Sequence, residues 1–147
     1  MKLPIENNII IELHIPDFGI AKEFYSKLGF KVISENPKGE YPGYLVMQRE
    51  DTLGKTILNF YGDDARVYQQ AYFKRFPSET PRGYAIEITI PISEINSFYT
   101  QISQEVKNNI VQELTEKKDN TTSWRDFRLA DPFGFYIRFT ELINWGQ

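Results

Sequence analysis

Residues 124–141 carry the clearest alternation of apolar and polar positions in the chain. Phe127 and Leu129 fall on one side of an extended run, with Trp124, Asp126 and Arg128 on the other. Phe135, Ile137 and Phe139 then face one way, and Tyr136, Arg138 and Thr140 the other. Period-two spacing of aromatic and branched residues predicts two half-buried strands. Asp131-Pro132-Phe133-Gly134 between them supplies turn chemistry, because proline fixes φ and glycine accepts positive φ. The expected product is a hairpin with one apolar face and one charged face.

The same reading runs along the rest of the chain. Residues 8–15 alternate, with Ile9, Ile11, Leu13 and Ile15 on one face and Ile10, Glu12 and His14 on the other. Asp17 is placed to cap a helix over 20–28, in which Ile20, Phe24 and Leu28 recur at helical spacing and which Gly29 ends. A short strand over 30–34, a loop over 35–43, and strands over 44–48 and 56–61 follow, the last two joined by a turn at 51–54. Residues 63–83 read as a connector. Ala65, Tyr68 and Tyr72 suggest a helix within 63–76, and 77–82 a loop. A strand over 84–92 places Ile86, Ile88, Ile90 and Ile92 on one face, and a helix over 94–102 gathers Ile95, Phe98, Tyr99 and Ile102. A strand around 110–113 and a charged turn over 117–122 lead into the hairpin.

This order is strand, helix and three strands, twice over. Residues 21–28 resemble 95–102 at an offset of 74, and Asp51-x-x-Gly54 mirrors Asp131-x-x-Gly134 at an offset of 80. A repeat of this kind fixes architecture. The expectation is one domain, with a first module over about 1–62, a connector over 63–83 and a second module over 84–147.

Composition narrows the chemistry. At 147 residues the chain can bury a substantial core, and 41% hydrophobic with 15% aromatic content argues for a folded protein. No apolar run is long enough to span a membrane, and the patch at 9–11 is too short and too acidic-flanked for a signal peptide. The lack of cysteine excludes disulfide and thiol chemistry and fits a cytoplasmic protein. A net charge of −3 gives no electrostatic reason to expect nucleic acid. His14 is the one histidine, so a single chain lacks the imidazoles that zinc and two-histidine iron sites use, whereas an oxygen-ligand site stays open.

Asp17 with Phe24-Tyr25-x-x-Leu28-Gly29-Phe30, then Gly43-Tyr44-Leu45-Val46-Met47-Gln48-Arg49, then Asp131-Pro132-x-Gly134 resemble the vicinal oxygen chelate superfamily, which includes glyoxalase I, extradiol dioxygenases and bleomycin resistance proteins. The bleomycin resistance type is the most similar. The resemblance implies an α+β fold of two βαβββ modules, with mixed sheets curled around a cleft and helices on the outer face. It implies that the polar strand faces line that cleft. The four positions that hold metal in the superfamily's enzymes would be Ile10, Asn59, Glu87 and Arg138. Isoleucine offers no donor atom and a guanidinium only donates hydrogen bonds, so no metal and no cofactor are expected.

The inward candidates are Ile10, Glu12, His14, Tyr44, Gln48, Asn59, Tyr61, Glu87, Asp126, Arg128, Tyr136 and Arg138, with Trp124 alongside. Arg138 is expected to pair with Glu87 in the space of the lost metal. Arg128 and Gln48, equivalent in the two modules, would grip a carboxylate or amide, or else Arg128 would bridge to Glu12 or Asp126. Tyr44, Tyr61, Trp124 and Tyr136 would stack on a flat ligand. The expected function is metal-free binding and sequestration of a small molecule by a homodimer, with the connector as a dimer contact. The alternatives are a divergent metal-dependent lyase or dioxygenase using Glu12, Glu87 and Asn59, and a metal-free enzyme with His14 as base.

Overall fold

A computed structural model describes residues 9–143. β1 (Glu12–Ile15), α1 (Phe18–Lys27), β2 (Lys31–Asn36), β3 (Gly43–Asp51) and β4 (Gly54–Gly62) form the first module, its sheet ordered β1-β4-β3-β2. β5 (Glu87–Pro91), α2 (Ile95–Ile102), β6 (Ile110–Lys118), β7 (Ser123–Ala130) and β8 (Tyr136–Leu142) form the second, ordered β5-β8-β7-β6. In each sheet the first strand runs parallel to the last and the remaining pairs are antiparallel. Neither sheet closes into a barrel. The twofold repeat read from the sequence is therefore a repeat of topology.

Local chemistry sets the helices. The Asp17 carboxylate accepts the Ile20 N–H at 2.9 Å, and Gly29, at φ +87°, ends α1. α2 lacks a local side-chain cap. Its Ile95 N–H donates instead to Glu141 Oε2 at 2.8 Å, from β8. Each helix covers the apolar face of its own sheet. The buried Tyr25 ring packs on Phe60 of β4, and Phe98 and Tyr99 pack on Phe127 and Phe139 of the hairpin. Leu13, Ile15, Leu45, Leu58, Ile90, Leu129 and Ile137 complete one core shared by both modules.

The repeated turn aspartates tie the modules together. Asp131 accepts the Tyr25 hydroxyl at 2.6 Å, and Asp51 accepts the Ser93 N–H at 2.8 Å. The Arg49 guanidinium also lies 4.6 Å from the centre of the Phe98 ring. All three contacts are on the helix-bearing side, opposite the polar strand faces.

Several expectations are corrected. The first strand begins at Glu12, and Ile9, Ile10 and Ile11 lie before it, each more than half exposed (Asn8 falls outside the described residues). β1 is an edge strand with β4 as its one neighbour in the sheet, and the register that fixes its faces begins at Glu12. α1 starts two residues earlier than the spacing suggests. Phe18 takes the buried position and Ile20 is exposed. The connector forms two short 3-10 turns, Ala65–Tyr68 and Phe73–Arg75, because Asp64 and Gln70 accept nearby backbone N–H groups and divide the segment. Tyr84 and Ile86 are exposed, since Ala85 at φ +60° and the Ile86 N–H to Gly83 bond form a turn before β5. β6 runs on to Lys118, and the charged turn is confined to 119–122, where Asp119 accepts the Thr121 and Thr122 N–H groups.

Candidate functional site

The polar residues singled out from the sequence fall into two groups, one on each sheet. Register defines them. On the first sheet Glu12 sits opposite Asn59, His14 opposite Tyr61, and Tyr44 opposite Tyr61 on the other side of β4. Gln48 lies further along the same face, opposite Ile57 and Lys31. On the second sheet Asp126 opposes Thr140, Arg128 opposes Arg138, Glu87 opposes Tyr136, and Trp124 opposes Leu142. Among the described residues no hydrogen bond, ion pair or ring contact joins the two groups. Ile10, outside β1, belongs to neither.

The first group is aromatic and lightly charged. The His14 ring lies 4.8 Å from Tyr61 and 5.0 Å from Phe73, so the connector reaches over this face. Arg82 donates to the His14 carbonyl at 2.7 Å, and its guanidinium sits 4.6 Å from the Tyr68 ring centre. Burial pushes the His14 pKa below its ordinary value; Glu12 opposes that and Arg82 reinforces it. His14 is therefore neutral at pH 7. Burial and then the neighbouring Glu12 carboxylate raise the Tyr44 pKa, keeping the phenol protonated. The neutral imidazole has a ring nitrogen free to accept a proton, and the protonated phenol is a hydrogen-bond donor.

The second group is an ionic network centred on Asp126, which has no exposed surface. One of its carboxylate oxygens accepts from Gln112 Nε2 at 2.9 Å and the other from Arg138 Nε at 2.9 Å. Lys117 Nζ lies 3.9 Å away. Arg128 donates Nη1–H to Gln112 Oε1 at 2.6 Å and approaches Glu87 at 3.3 Å and Asp126 at 3.9 Å. Arg138 comes within 3.8 Å of Glu87. The expected Arg138–Glu87 pair is thus the looser of two contacts, and Asp126 is the partner of Arg138. Arg128 is held by Gln112 and Glu87, with the expected contact to Asp126 at long range. Sequence reasoning passed over Gln112 and Lys117. Irregular register between β6 and β7 brings them to Asp126, and no period-two pattern announces such an irregularity. A shallow depression lined by Tyr99, Ser103, Lys107 and Ile110 lies apart from both faces.

No family model matches the chain, and no curated protein matches it. Solved structures do. A glyoxalase/bleomycin resistance protein/dioxygenase from Nocardioides matches with a TM-score of 0.64 at 18% identity, covering 99% of this chain and 91% of that one. The fold is the vicinal oxygen chelate fold. A glyoxalase family protein from Enterococcus faecalis is similar at TM-score 0.58 and 17% identity, over 95% of this chain and all of its own. A bleomycin-binding protein complexed with bleomycin is similar at TM-score 0.54 and 17% identity, over 92% of this chain and 98% of its own. Of the four positions singled out as equivalent to metal ligands, Ile10 lies outside β1, Asn59 is on β4, Glu87 is on β5, and the Arg138 guanidinium donates to Asp126. Among the described residues no three histidine or carboxylate side chains gather in a metal-holding group. No helix among them is long and apolar enough to cross a membrane.

Proposed function

We propose that this chain binds a small molecule on its polar strand faces without a metal, and acts by sequestering that molecule rather than converting it. The observation that carries the reading is Arg138, a permanently charged donor at a metal-ligand position, engaged with a buried aspartate. The bleomycin-binding neighbour offers a precedent for ligand binding on this fold, with the ligand of the present chain left to experiment. Glu12, His14, Tyr44, Gln48, Asn59 and Tyr61 would contact the ligand from one side, and Glu87, Trp124, Asp126, Arg128, Tyr136 and Arg138 from the other.

In this reading the active form is a cytoplasmic homodimer that brings the first face of one copy near the second face of another. The exposed Ile9, Ile10, Ile11, Tyr84 and Ile86, beside the free edges of β1 and β5, supply apolar surface for that contact. Elemental analysis of purified protein, with calorimetric titration of nickel, manganese, zinc and iron(II), tests the central claim. No bound metal and no binding heat are expected, together with a raised melting midpoint from at least one member of a small-molecule panel. One tightly held metal per chain would overturn the reading in favour of a metal-dependent lyase or dioxygenase.

A further inference from the structure

We propose that the polar face of the second sheet is a carboxylate-binding site, holding the acid group of a small ligand between Arg128 and Arg138 with the Trp124 indole beside it. The proposal rests on the small-molecule reading above and names the ligand's chemical class. Its basis is an imbalance between donors and acceptors. Asp126, the central acceptor, is fully covered and has each oxygen hydrogen-bonded. Glu87 accepts from Thr89 at 3.0 Å. The donors are far less used. A guanidinium carries five N–H groups. Among the described residues Arg128 makes one hydrogen bond, to Gln112, and Arg138 one, to Asp126.

Three buried side-chain atoms on this face make no hydrogen bond: Trp124 Nε1, the Thr140 hydroxyl, and Arg128 Nε, which meets Glu87 Oε2 only as an ion pair at 3.3 Å. Register places them together. Trp124 and Arg128 flank Asp126 on β7, and Thr140 stands directly opposite Asp126 on β8. Two of the three, a guanidinium nitrogen and an indole nitrogen, can only donate. What the face lacks is acceptor atoms.

Charge points the same way. Arg128 and Arg138 face each other directly across the hairpin, a like-charge pair that is unfavourable on its own. With Lys117 they bring three cations to the face, against the two carboxylates Asp126 and Glu87. A carboxylate would neutralise the surplus and match the planar fork of a guanidinium. A cationic ligand would find the main carboxylate already enclosed. Both arginine side chains keep part of their surface open, 19% and 22% exposed, so an acid can approach them without unfolding the sheet.

The test uses the full chain and three ring compounds of one size: benzoate, neutral benzamide and cationic benzylammonium. The reporters are the indole N–H resonance of Trp124, assigned with Trp145→Phe, and the backbone amides of β7 and β8. Benzoate is expected to shift them saturably while the other two compounds do not. Arg128→Gln should weaken benzoate about tenfold or more, as loss of a charge-assisted contact implies. Trp124→Phe, which keeps the ring and removes the N–H, should weaken it less. Equal shifts from benzamide and benzoate would overturn the proposal, as would unchanged affinity in a folded Arg128→Gln variant. So would silence from benzoate up to about 50 mM, near the weakest affinity such a contact could give. Shifts of these same resonances by benzamide or benzylammonium instead would refute the acid and leave small-molecule binding standing. Silence from the whole panel, with no hit in the wider melting screen, would sink both.

Discussion

Replacing Tyr25 by Phe removes one atom and tests how the two modules are held together. The Tyr25 ring is fully buried, and its hydroxyl donates to Asp131 Oδ2 at 2.6 Å across the module boundary. The other Asp131 oxygen keeps its bonds from the Phe133 and Phe135 N–H groups. The substitution therefore orphans one oxygen of a carboxylate that is 5% exposed and leaves the rest of the site intact. A hydrogen bond to a charged group contributes about 1.5–3 kcal/mol, and the upper half applies where the stranded partner stays buried. Relief from desolvating the hydroxyl offsets part of this, so the expected loss at pH 7 is about 2 kcal/mol. For a chain of this length that is a fall in Tm of roughly 5–8 °C.

The pH dependence makes the test specific. Burial raises the Asp131 pKa, although bonds from Tyr25 and the turn amides pull it partly back. The folded chain therefore takes up the Asp131 proton more readily than the unfolded one. Asp131 opposes folding at neutral pH, and that opposition fades as pH falls through the raised folded pKa towards the ordinary value of about 4. Without the Tyr25 hydroxyl the charged form loses a donor and the pKa climbs further. The deficit of Tyr25→Phe should thus be largest at pH 7 and shrink on acidification. Urea melts of the wild type, Tyr25→Phe, Asp131→Asn and the double variant, at neutral and mildly acidic pH, measure it. A deficit below about 0.5 kcal/mol, a deficit independent of pH, or an additive double-variant cycle would refute the reasoning.

Other perturbations probe other parts of the structure. Asp126→Ala removes the hydrogen-bonded partner of Arg138, leaving it the longer contact to Glu87, and should cost about 1.5–3 kcal/mol, read by thermal melting. His14 titrates below its ordinary value when folded, so its contribution to stability is complete above about pH 6.5 and is lost as pH falls through the lowered folded pKa. Nuclear magnetic resonance of this one histidine should give a midpoint under 6.5, and His14→Phe should flatten that part of the stability profile. Asp51 is held below its ordinary pKa: burial would raise it, but the bonds from Ser93 and Leu53 outweigh that. Asp51→Asn should therefore destabilise the chain at pH 7 and lose its effect as acid protonates Asp51 in the wild type, a trend that melts at two pH values will show. Gly62, at φ +129°, packs against the Val67 side chain and the Ile15 carbonyl, so Gly62→Ala should cost about 2 kcal/mol or more by urea melt.

The sequence carried the architecture because the architecture depends on redundant signals. Alternation in Phe127, Leu129, Ile137 and Phe139 fixes which hairpin face meets α2, and the repeated turn aspartates mark equivalent joints in both modules. Legibility failed where a pattern had no neighbour to enforce it. Ile11 and Ile86 alternate as well as any residues in the chain, yet they stand beside the free edges of β1 and β5 and are exposed. Alternation shows that a strand could be half-buried there, and only a paired neighbour makes it so.

The candidate site was legible as a set of residues and illegible as a set of partners. The polar faces follow from period two, so Glu87, Asp126, Arg128 and Arg138 were assigned to one side correctly. Which acid meets which arginine depends on register across three strand pairs, and the irregular β6–β7 pairing decides it by delivering Gln112 and Lys117. The consequence reaches function. With Glu87 as its main partner, Arg138 would be spent in a closed ion pair. With a fully enclosed Asp126 as partner, the guanidinium is anchored through Nε while its outer edge stays partly open. An arginine anchored from behind presents a rigid donor fork at little cost in side-chain entropy, which is the geometry an incoming acid group needs.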